Sequence, residues 1–367
     1  MTAKVSVVVP VYNGERSVAS CLDNLTKQSL KEIEIICVND GSTDNSLEVI
    51  NDYIKKDPRI RVVSQKNGGL SAARNTGLRN VKTPFVMFCD CDDIFDDEMC
   101  EKMVGAMVEN DVDIVACGTE VEYKAHSEIA ESDSNYYRIK FSGKNYINEE
   151  ITSRTDVSVC DKIFKVELIN KHGIKFPEGL NNEDYYFYNA YMSISDTILF
   201  ITKKMYKYIR HEDSIMSDNF NSNKYSPDHL LIVQELFSFY KKNGFLDRHV
   251  DYFWNQFAES YWFSYSHSAK KHHKKIQAIA NKFIDKQLPK YPVTKSKVRH
   301  QINIIRHNNL FYKIMRFMKA KLRGLYRKVN IAYRQQEFIN IELDNMIARH
   351  EELLEKVKKI ESIIEEK

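Results

Sequence analysis

The chain has 367 residues, of which 43% are hydrophobic and 29% charged, and its formal net charge is +3. This length predicts more than one domain, and the composition excludes a disordered or collagen-like protein. The sequence has no run of about 18 apolar residues, so we expect no transmembrane helix. The first residues run straight into an apolar stretch without a basic region or a cleavage site, so we expect no secretory signal.

Seven cysteines all lie within the first 160 residues, several of them inside apolar runs. An odd number of cysteines in such positions predicts reduced, buried thiols rather than a disulfide framework. We therefore expect a cytoplasmic protein.

The charge is unevenly distributed along the chain. Residues 1–285 carry 35 basic and 42 acidic residues, 286–336 carry 14 basic and no acidic residues, and 337–367 carry 5 basic and 9 acidic residues. An acidic body, a basic segment and an acidic tail therefore follow one another, and each segment needs its own interpretation.

The first 120 residues alternate short β-rich runs with amphipathic stretches. The predicted strands are 5–11, 33–38, 60–63, 85–89 and 114–117, and the predicted helices are 17–28, 45–55, 71–79 and 97–109. This alternation predicts a mostly parallel sheet with helices on both faces. From about 226 to 285 the pattern is helical, with Ser226 as the expected N-cap and Pro227 at the first helical position.

The first four predicted strands end in polar residues, namely Tyr12 and Asn13, Asn39 and Asp40, Gln65 to Asn67, and Asp90. Ligands of open α/β sheets bind beyond the carboxyl ends of the strands, so these ends together suggest a pocket. Polar residues also end strands that bind nothing, and the pattern alone does not separate the two cases.

Three carboxylates, Asp90, Asp92 and Asp93, follow the fourth strand in the sequence FCDCDD. Carboxylates this close repel one another unless a cation offsets their charge, and hard divalent metals prefer oxygen ligands. The alternative is a helix N-terminus, where acidic residues are also favoured.

Five motifs in a fixed order carry a family resemblance. VVVPVYNGE, CVNDGSTDNS, NGGLSAARNTG and FCDCDD occur at βα-type spacing, and NNEDYYF follows downstream. This combination closely resembles the family 2 glycosyltransferases of the GT-A fold, over about the first 215 residues. The resemblance implies a nucleotide-activated sugar donor and inversion at the anomeric carbon. No Walker-type or GxGxxG motif is present, so a P-loop or dinucleotide site is not supported.

The resemblance also implies roles for residues on the donor side. Pro10, Tyr12 and Asn13 match the end of the family's first strand, which frames the uracil, and Asp40 matches the acidic residue that accepts a hydrogen bond from the base. Gly68 and Gly69 permit close approach of the backbone.

Other matches concern the diphosphate and a metal, either Mn²⁺ or Mg²⁺. Arg74 matches a basic residue near the diphosphate, Asp90 a carboxylate on the ribose side that also helps hold the metal, and Asp92 a direct metal ligand. His211 aligns loosely with a histidine that reaches the metal or diphosphate, although a single histidine is commonly a surface residue.

The pair Glu183 and Asp184 resembles the family's ED pair, in which the aspartate is the general base and Glu183 supports it. An inverting transfer needs such a carboxylate to take the proton of the acceptor hydroxyl. A helix start with acidic residues in its first turn is the structural alternative, and both can hold together. Asp161 and Lys162 match the segment that lines the acceptor side.

The basic segment 286–336 contains an amphipathic pattern at 310–326, with apolar residues at helical spacing and Lys or Arg between them. Contact with an anionic membrane surface and packing of the apolar face on the protein itself are both open. Nucleic-acid binding ranks last, because no nucleic-acid-binding motif accompanies the charge.

The tail repeats apolar residues in heptads, which predicts a coiled coil that joins subunits into a homo-oligomer. One core position holds Leu343, His350, Val357 and Ile364, and the other holds Ile339, Met346, Leu353 and Ile360. A single amphipathic helix docked on its own body is the alternative.

Together these patterns predict a GT-A catalytic domain at 1–220, a helical, basic region at 221–333 and a coiled coil at 334–367. The expected activity is metal-dependent, inverting transfer from a nucleotide-diphosphate sugar, with a UDP-sugar as the expected donor. The expected acceptor is a hydroxyl of a glycan, lipid-linked or protein-linked molecule, in polysaccharide biosynthesis. The expected location is cytoplasmic, and peripheral contact with the inner face of the cell membrane is left open. The alternative is a non-catalytic oligomeric scaffold on the same fold.

Overall fold

The computed structural model describes residues 2–123, 140–210 and 226–307. The chain divides after Arg306 into two units, and of the second unit only His307 belongs to the described residues. The predicted helix at 310–326 and the predicted coiled coil therefore lie outside the described residues, as does His211.

The described elements alternate between strands and helices in the first half of the chain. The strands are β1 (Val5–Val11), β2 (Ile33–Asn39), β3 (Ile60–Ser64), β4 (Phe85–Phe88), β5 (Ile94–Phe95), β6 (Ile114–Tyr123), β7 (Gly143–Tyr146), β8 (Lys162–Lys165) and β9 (Thr197–Arg210). The helices are α1 (Val18–Lys27), α2 (Ser46–Lys56), α3 (Leu70–Asn80), α4 (Met99–Asn110), α5 (Glu149–Arg154), α6 (Val166–His172), α7 (Glu183–Ile194), α8 (Asp228–Lys242), α9 (Leu246–Ser266), α10 (His273–Gln287) and α11 (Ser296–His307), with a 3₁₀ turn at Lys270–His272.

One mixed sheet organises this unit, in the strand order β3-β2-β1-β4-β8-β6-β9-β5, with β7 also paired to β9. Strands β3, β2, β1 and β4 are parallel, and β6 is parallel to β9. Strand β8 runs antiparallel between β4 and β6. The predicted mostly parallel α/β sheet is confirmed, and the carboxyl ends of β1 to β4 meet at one edge.

Buried strands and a close helix contact set the position of that edge. All seven residues of β1 are buried, as expected for a central parallel strand covered on both faces. Helix α3 lies against β1 at Gly77, where an added Cβ would collide with the side chain of Val8. Glycine at this position therefore allows the helix and the strand to approach closely.

The C-terminal helices pack against the sheet domain through α7. Helix α8 begins at Asp228 and not at Pro227, so the predicted start is off by one residue. Ser226 does not cap it with its side chain; its backbone N–H donates to Ser268 Oγ at 3.0 Å. An aromatic core joins α8, α9 and α10, in which Phe257 stacks on Phe283.

Two expectations about the chain can be checked directly. All seven cysteines are free, and six of them are buried, with Cys91 half-buried. Over the described ranges, no helix combines the length and the apolar character needed to cross a bilayer.

Candidate active site

The loops after β1 and β2 fasten to each other at the carboxyl edge of the sheet. The side-chain oxygen of Asn13 accepts from the Thr43 N–H at 2.8 Å, and the Asn13 N–H donates to Ser42 Oγ at 3.1 Å. Asn13 has a positive φ of 49°, which asparagine tolerates better than most residues. Pro10 is buried inside β1, whereas the ring of Tyr12 is 51% exposed beside this loop. This edge of the sheet therefore presents the exposed ring of Tyr12 beside a loop that hydrogen bonds hold in place.

Asp40 joins the end of β2 to the start of α3. Its Oδ1 accepts from the Gly68 N–H at 2.9 Å and from Gln65 Nε2 at 2.7 Å, and its Oδ2 accepts from the Gly69 N–H at 2.8 Å. Gly69 has a φ of +83°, a conformation that glycine adopts without strain. The carboxylate thus shapes the glycine turn that begins α3.

Arg74 is the centre of the site, and only 1% of it is exposed. Its Nη1 donates to Glu183 Oε1 at 2.7 Å and to Asp184 Oδ1 at 2.6 Å, while its Nη2 donates to Asp90 Oδ1 at 2.8 Å. Burial works against its charge, but the carboxylates more than compensate and raise the pKa of Arg74 well above its usual value. Helix α3 thereby links the end of β4 to the start of α7.

Asp184 has the electrostatics of a base that works near neutral pH. Burial, together with the negative charges of Glu183 and Asp90, raises its pKa to about 7, although Arg74 opposes this shift. Its Oδ2 accepts from the Val159 N–H at 3.3 Å, and its side chain remains 24% exposed. The carboxylate is therefore held in place and still reachable from solvent.

The three aspartates after β4 separate into two groups. Asp93 points into the protein, where Tyr206 Oη donates to Oδ2 and the Ile209 N–H donates to Oδ1 at 2.8 Å. Its burial and the nearby charges of Asp90 and Asp92 raise its pKa to about 8. Asp90 and Asp92 are half-buried at the edge of the sheet.

The donor set at Asp90 and Asp92 suits a hard divalent cation, because carboxylate oxygens are its preferred ligands. Within 2–123, 140–210 and 226–307, no group of three candidate side chains for a metal occurs. A cation such as Mg²⁺ commonly keeps several waters and shares phosphate oxygens with a nucleotide, so two carboxylates are compatible with binding.

Asp161 and Lys162 form a buried ion pair at the start of β8. Lys162 Nζ donates to Asp161 Oδ1 and to the Ser158 carbonyl, both at 2.7 Å, and the lysine is fully buried. Burial raises the pKa of Asp161 to about 6. The pair supports the segment whose Val159 N–H reaches Asp184, and it is not exposed at the surface.

Sequence reasoning missed several contacts of the site. The ring of Phe176 lies 5.3 Å from the guanidinium carbon of Arg74, and Cys160 Sγ lies 3.9 Å from its Nη2. Asn181, just before the ED pair, bonds to Asp228 of α8. No sequence motif marks these contacts, because each joins residues distant along the chain.

Comparisons with known proteins agree with this architecture. The family model "Glycosyl transferase family 2" matches residues 6–173. Glycosyltransferase GlyG of Streptococcus pneumoniae is 32% identical over 237 residues, which cover 60% of this chain and 75% of GlyG. Glycosyltransferase GlyA of the same organism is 34% identical over 213 residues, which cover 56% of this chain and 30% of GlyA. The chain thus spans less than a third of GlyA.

A solved structure shows the same fold. The S. aureus TarS 1-349 structure in complex with UDP-GlcNAc superimposes with a TM-score of 0.55 at 20% identity, covering 83% of this chain and 90% of that chain. The match to TarS shows the GT-A fold, and the match to GlyG covers most of a curated family member. The chain belongs to glycosyltransferase family 2.

Proposed function

We propose that this protein transfers a sugar, with inversion, from a nucleotide-diphosphate donor to a hydroxyl of a glycan, lipid-linked or protein-linked acceptor. A UDP-sugar is the donor we favour. The observation that carries the proposal is the position of Asp184, a solvent-accessible carboxylate with a pKa of about 7. Arg74 donates one hydrogen bond to Asp184 and another to Asp90, and so connects the two carboxylates. A base of this kind is protonated and deprotonated readily at neutral pH.

In the proposed reaction Asp184 takes the proton of the acceptor hydroxyl while the oxygen attacks the anomeric carbon. The bond from that carbon to the diphosphate breaks, and the nucleoside diphosphate leaves with the bonding electrons. Glu183 and Arg74 hold Asp184 in position and tune its charge. Tyr12 and the braced loop at Asn13 frame the base of the nucleotide.

Asp90 and Asp92 would hold a divalent metal, Mn²⁺ or Mg²⁺, which would offset negative charge on the departing diphosphate. Arg74 already neutralises part of the charge at Asp90, since its Nη2 bonds that carboxylate. The positive charge of Arg74 offsets part of the negative charge of the two aspartates. Without it, this edge of the sheet would repel an anionic donor more strongly.

Calorimetric titration of UDP and several UDP-sugars, with Mn²⁺ and then with EDTA, tests the donor site. We expect binding that depends on the metal, and sugars that bind with different affinities. Asp184→Asn should bind the donor as the wild type does and lose transfer. Retained turnover in that variant would remove Asp184 as the base, and no donor binding in any condition would favour a non-catalytic scaffold.

The proposal extends to the C-terminal segments, which are described only as far as His307. We propose that 334–367 joins subunits as a coiled coil and that 286–336 contacts the inner face of the cell membrane. The domain division at 220 and 333 belongs to the same proposal. Deletion of 337–367 should reduce the mass in solution, and an unchanged oligomer would contradict the coiled coil.

A further inference from the structure

A compact group of lysines stands at the turn between α9 and α10. Residues 268–306 contain eleven Lys or Arg and one acidic residue, Asp285, which pairs with Arg306 at 2.9 Å. Four of the basic residues are exposed within six positions, and we call them the lysine cluster: Lys270, Lys271, Lys274 and Lys275. His272 and His273 lie between them and are half-buried.

The position of the lysine cluster is unfavourable for the helix that follows it. Helix α10 begins at His273 and has no acidic residue in its first turn. The N-terminus of a helix carries a partial positive charge, so cations there are destabilising. Like charges this close also repel one another. A bound anion would relieve both effects.

A chain of contacts places the lysine cluster on the side of the site that holds the base. Ser268, two residues before the cluster, accepts at its Oγ the hydrogen bond from the Ser226 N–H. Two residues further on, the carboxylate of Asp228 accepts from both the backbone and the side chain of Asn181. Asn181 lies three residues before Asp184. The cluster therefore lies near the start of α7, the helix that carries Asp184.

We propose that the lysine cluster binds the phosphate-bearing part of an anionic acceptor and guides its hydroxyl toward Asp184. This inference rests on the proposed function and adds the chemical class of the acceptor to it. Four lysines on one turn are suited to several phosphates in a row, as in a phosphodiester polymer, because each ammonium is a compact charge with three donors.

The surroundings of the lysine cluster favour a soluble polyanion over a lipid surface. Membrane-bound helices usually insert exposed apolar side chains beside their basic residues. Among the residues that the structure describes, the large exposed hydrophobic residues are Tyr12, Val108 and Tyr146, and none lies in 268–285, the stretch that holds the lysine cluster. The lysine cluster therefore offers positive charge but no exposed apolar side chain that could insert into a membrane.

The test measures binding of inorganic polyphosphate to the full chain by calorimetry at several salt concentrations. The variant replaces Lys270, Lys271, Lys274 and Lys275 with Gln. The matched control replaces four exposed lysines with Gln on other elements, namely α1, α2 and the loop before β4: Lys27, Lys55, Lys56 and Lys82. UDP binding is measured on every protein.

We expect the cluster variant to bind polyphosphate roughly tenfold or more weakly and with a shallower salt dependence. The control should bind polyphosphate as the wild type does, and all proteins should bind UDP equally. Equal weakening in both variants, wild-type affinity in the cluster variant, or no polyphosphate binding by the wild type would overturn the inference. Cluster-dependent binding to phosphatidylglycerol vesicles but not to polyphosphate would also overturn it, in favour of a membrane.

The UDP measurement separates this inference from the proposed function. Loss of UDP binding in the wild type would contradict the nucleotide-sugar reaction and leave the polyphosphate result to be judged by itself. Normal UDP binding with no polyphosphate binding would contradict only the assignment of the acceptor.

Discussion

Replacing Arg74 with Met removes the buried cation that bridges Asp90, Glu183 and Asp184. Three ion pairs of 2.6 to 2.8 Å disappear, and three carboxylates remain close together. Loss of one partner from a buried ion pair costs about 3–5 kcal/mol, because the remaining charge is uncompensated. We expect Arg74→Met to lower the free energy of unfolding by that amount near pH 8.

The loss should depend on pH in a defined direction. The folded-state pKa of Asp184 is about 7, above the unfolded value near 4, so this group lowers stability as pH rises through that interval. Arg74 lowers the pKa of Asp184, so this pKa is higher in the variant. The pH range over which Asp184 destabilises the fold therefore extends to higher pH in the variant than in the wild type. The difference between variant and wild type should therefore be smaller at pH 5 than at pH 8.

Urea unfolding at pH 5 and pH 8 measures this difference. Arg154→Met is the matched control, because Arg154 also bonds a carboxylate, that of Glu150, but both of these side chains are more than half exposed. The control substitution should lower the free energy of unfolding by about 1 kcal/mol or less. A loss at Arg74 that is below about 1 kcal/mol, or equal at both pH values, would refute the reasoning on the buried network.

Three further changes test the site and its support. Glu183→Gln removes a charge that raises the pKa of Asp184, so the acidic limb of the pH–rate profile for transfer should move down by about one pH unit. If the acidic limb does not move, Asp184 does not control it. Asp92→Ala should weaken metal-dependent UDP binding while metal-free affinity stays the same, and unchanged affinity with Mn²⁺ would exclude Asp92 as a ligand. Gly77→Ala should destabilise the fold by about 1–3 kcal/mol through the clash with Val8. Adding Val8→Ala to that variant should recover part of the lost stability. An unchanged melting temperature in Gly77→Ala would contradict the close packing of α3 on β1.

Periodicity along the sequence predicted most elements of the first 120 residues, but it missed the short strand β5 (Ile94–Phe95) and the second half of β6 (Ile114–Tyr123). Strands β1 to β4 and helices α1 to α4 lie within a few residues of the predicted ranges, because their apolar spacing and polar ends are local signals. The predicted meeting of Asn13, Asp40 and Asp90 at one edge follows from parallel pairing alone. The predicted helix start at Pro227 was off by one residue, because Pro227 is the N-cap and the helix begins at Asp228.

The sequence by itself determined which residue types stand at the strand ends, and so the family and the chemistry to be expected. Only the tertiary structure decided that Arg74 is a buried bridge between three carboxylates. It also decided that Asp93 turns inward to Tyr206 while its neighbours stay at the edge. Charge and burial depend on side chains more than 100 residues apart along the chain, and no local pattern records which of them will meet.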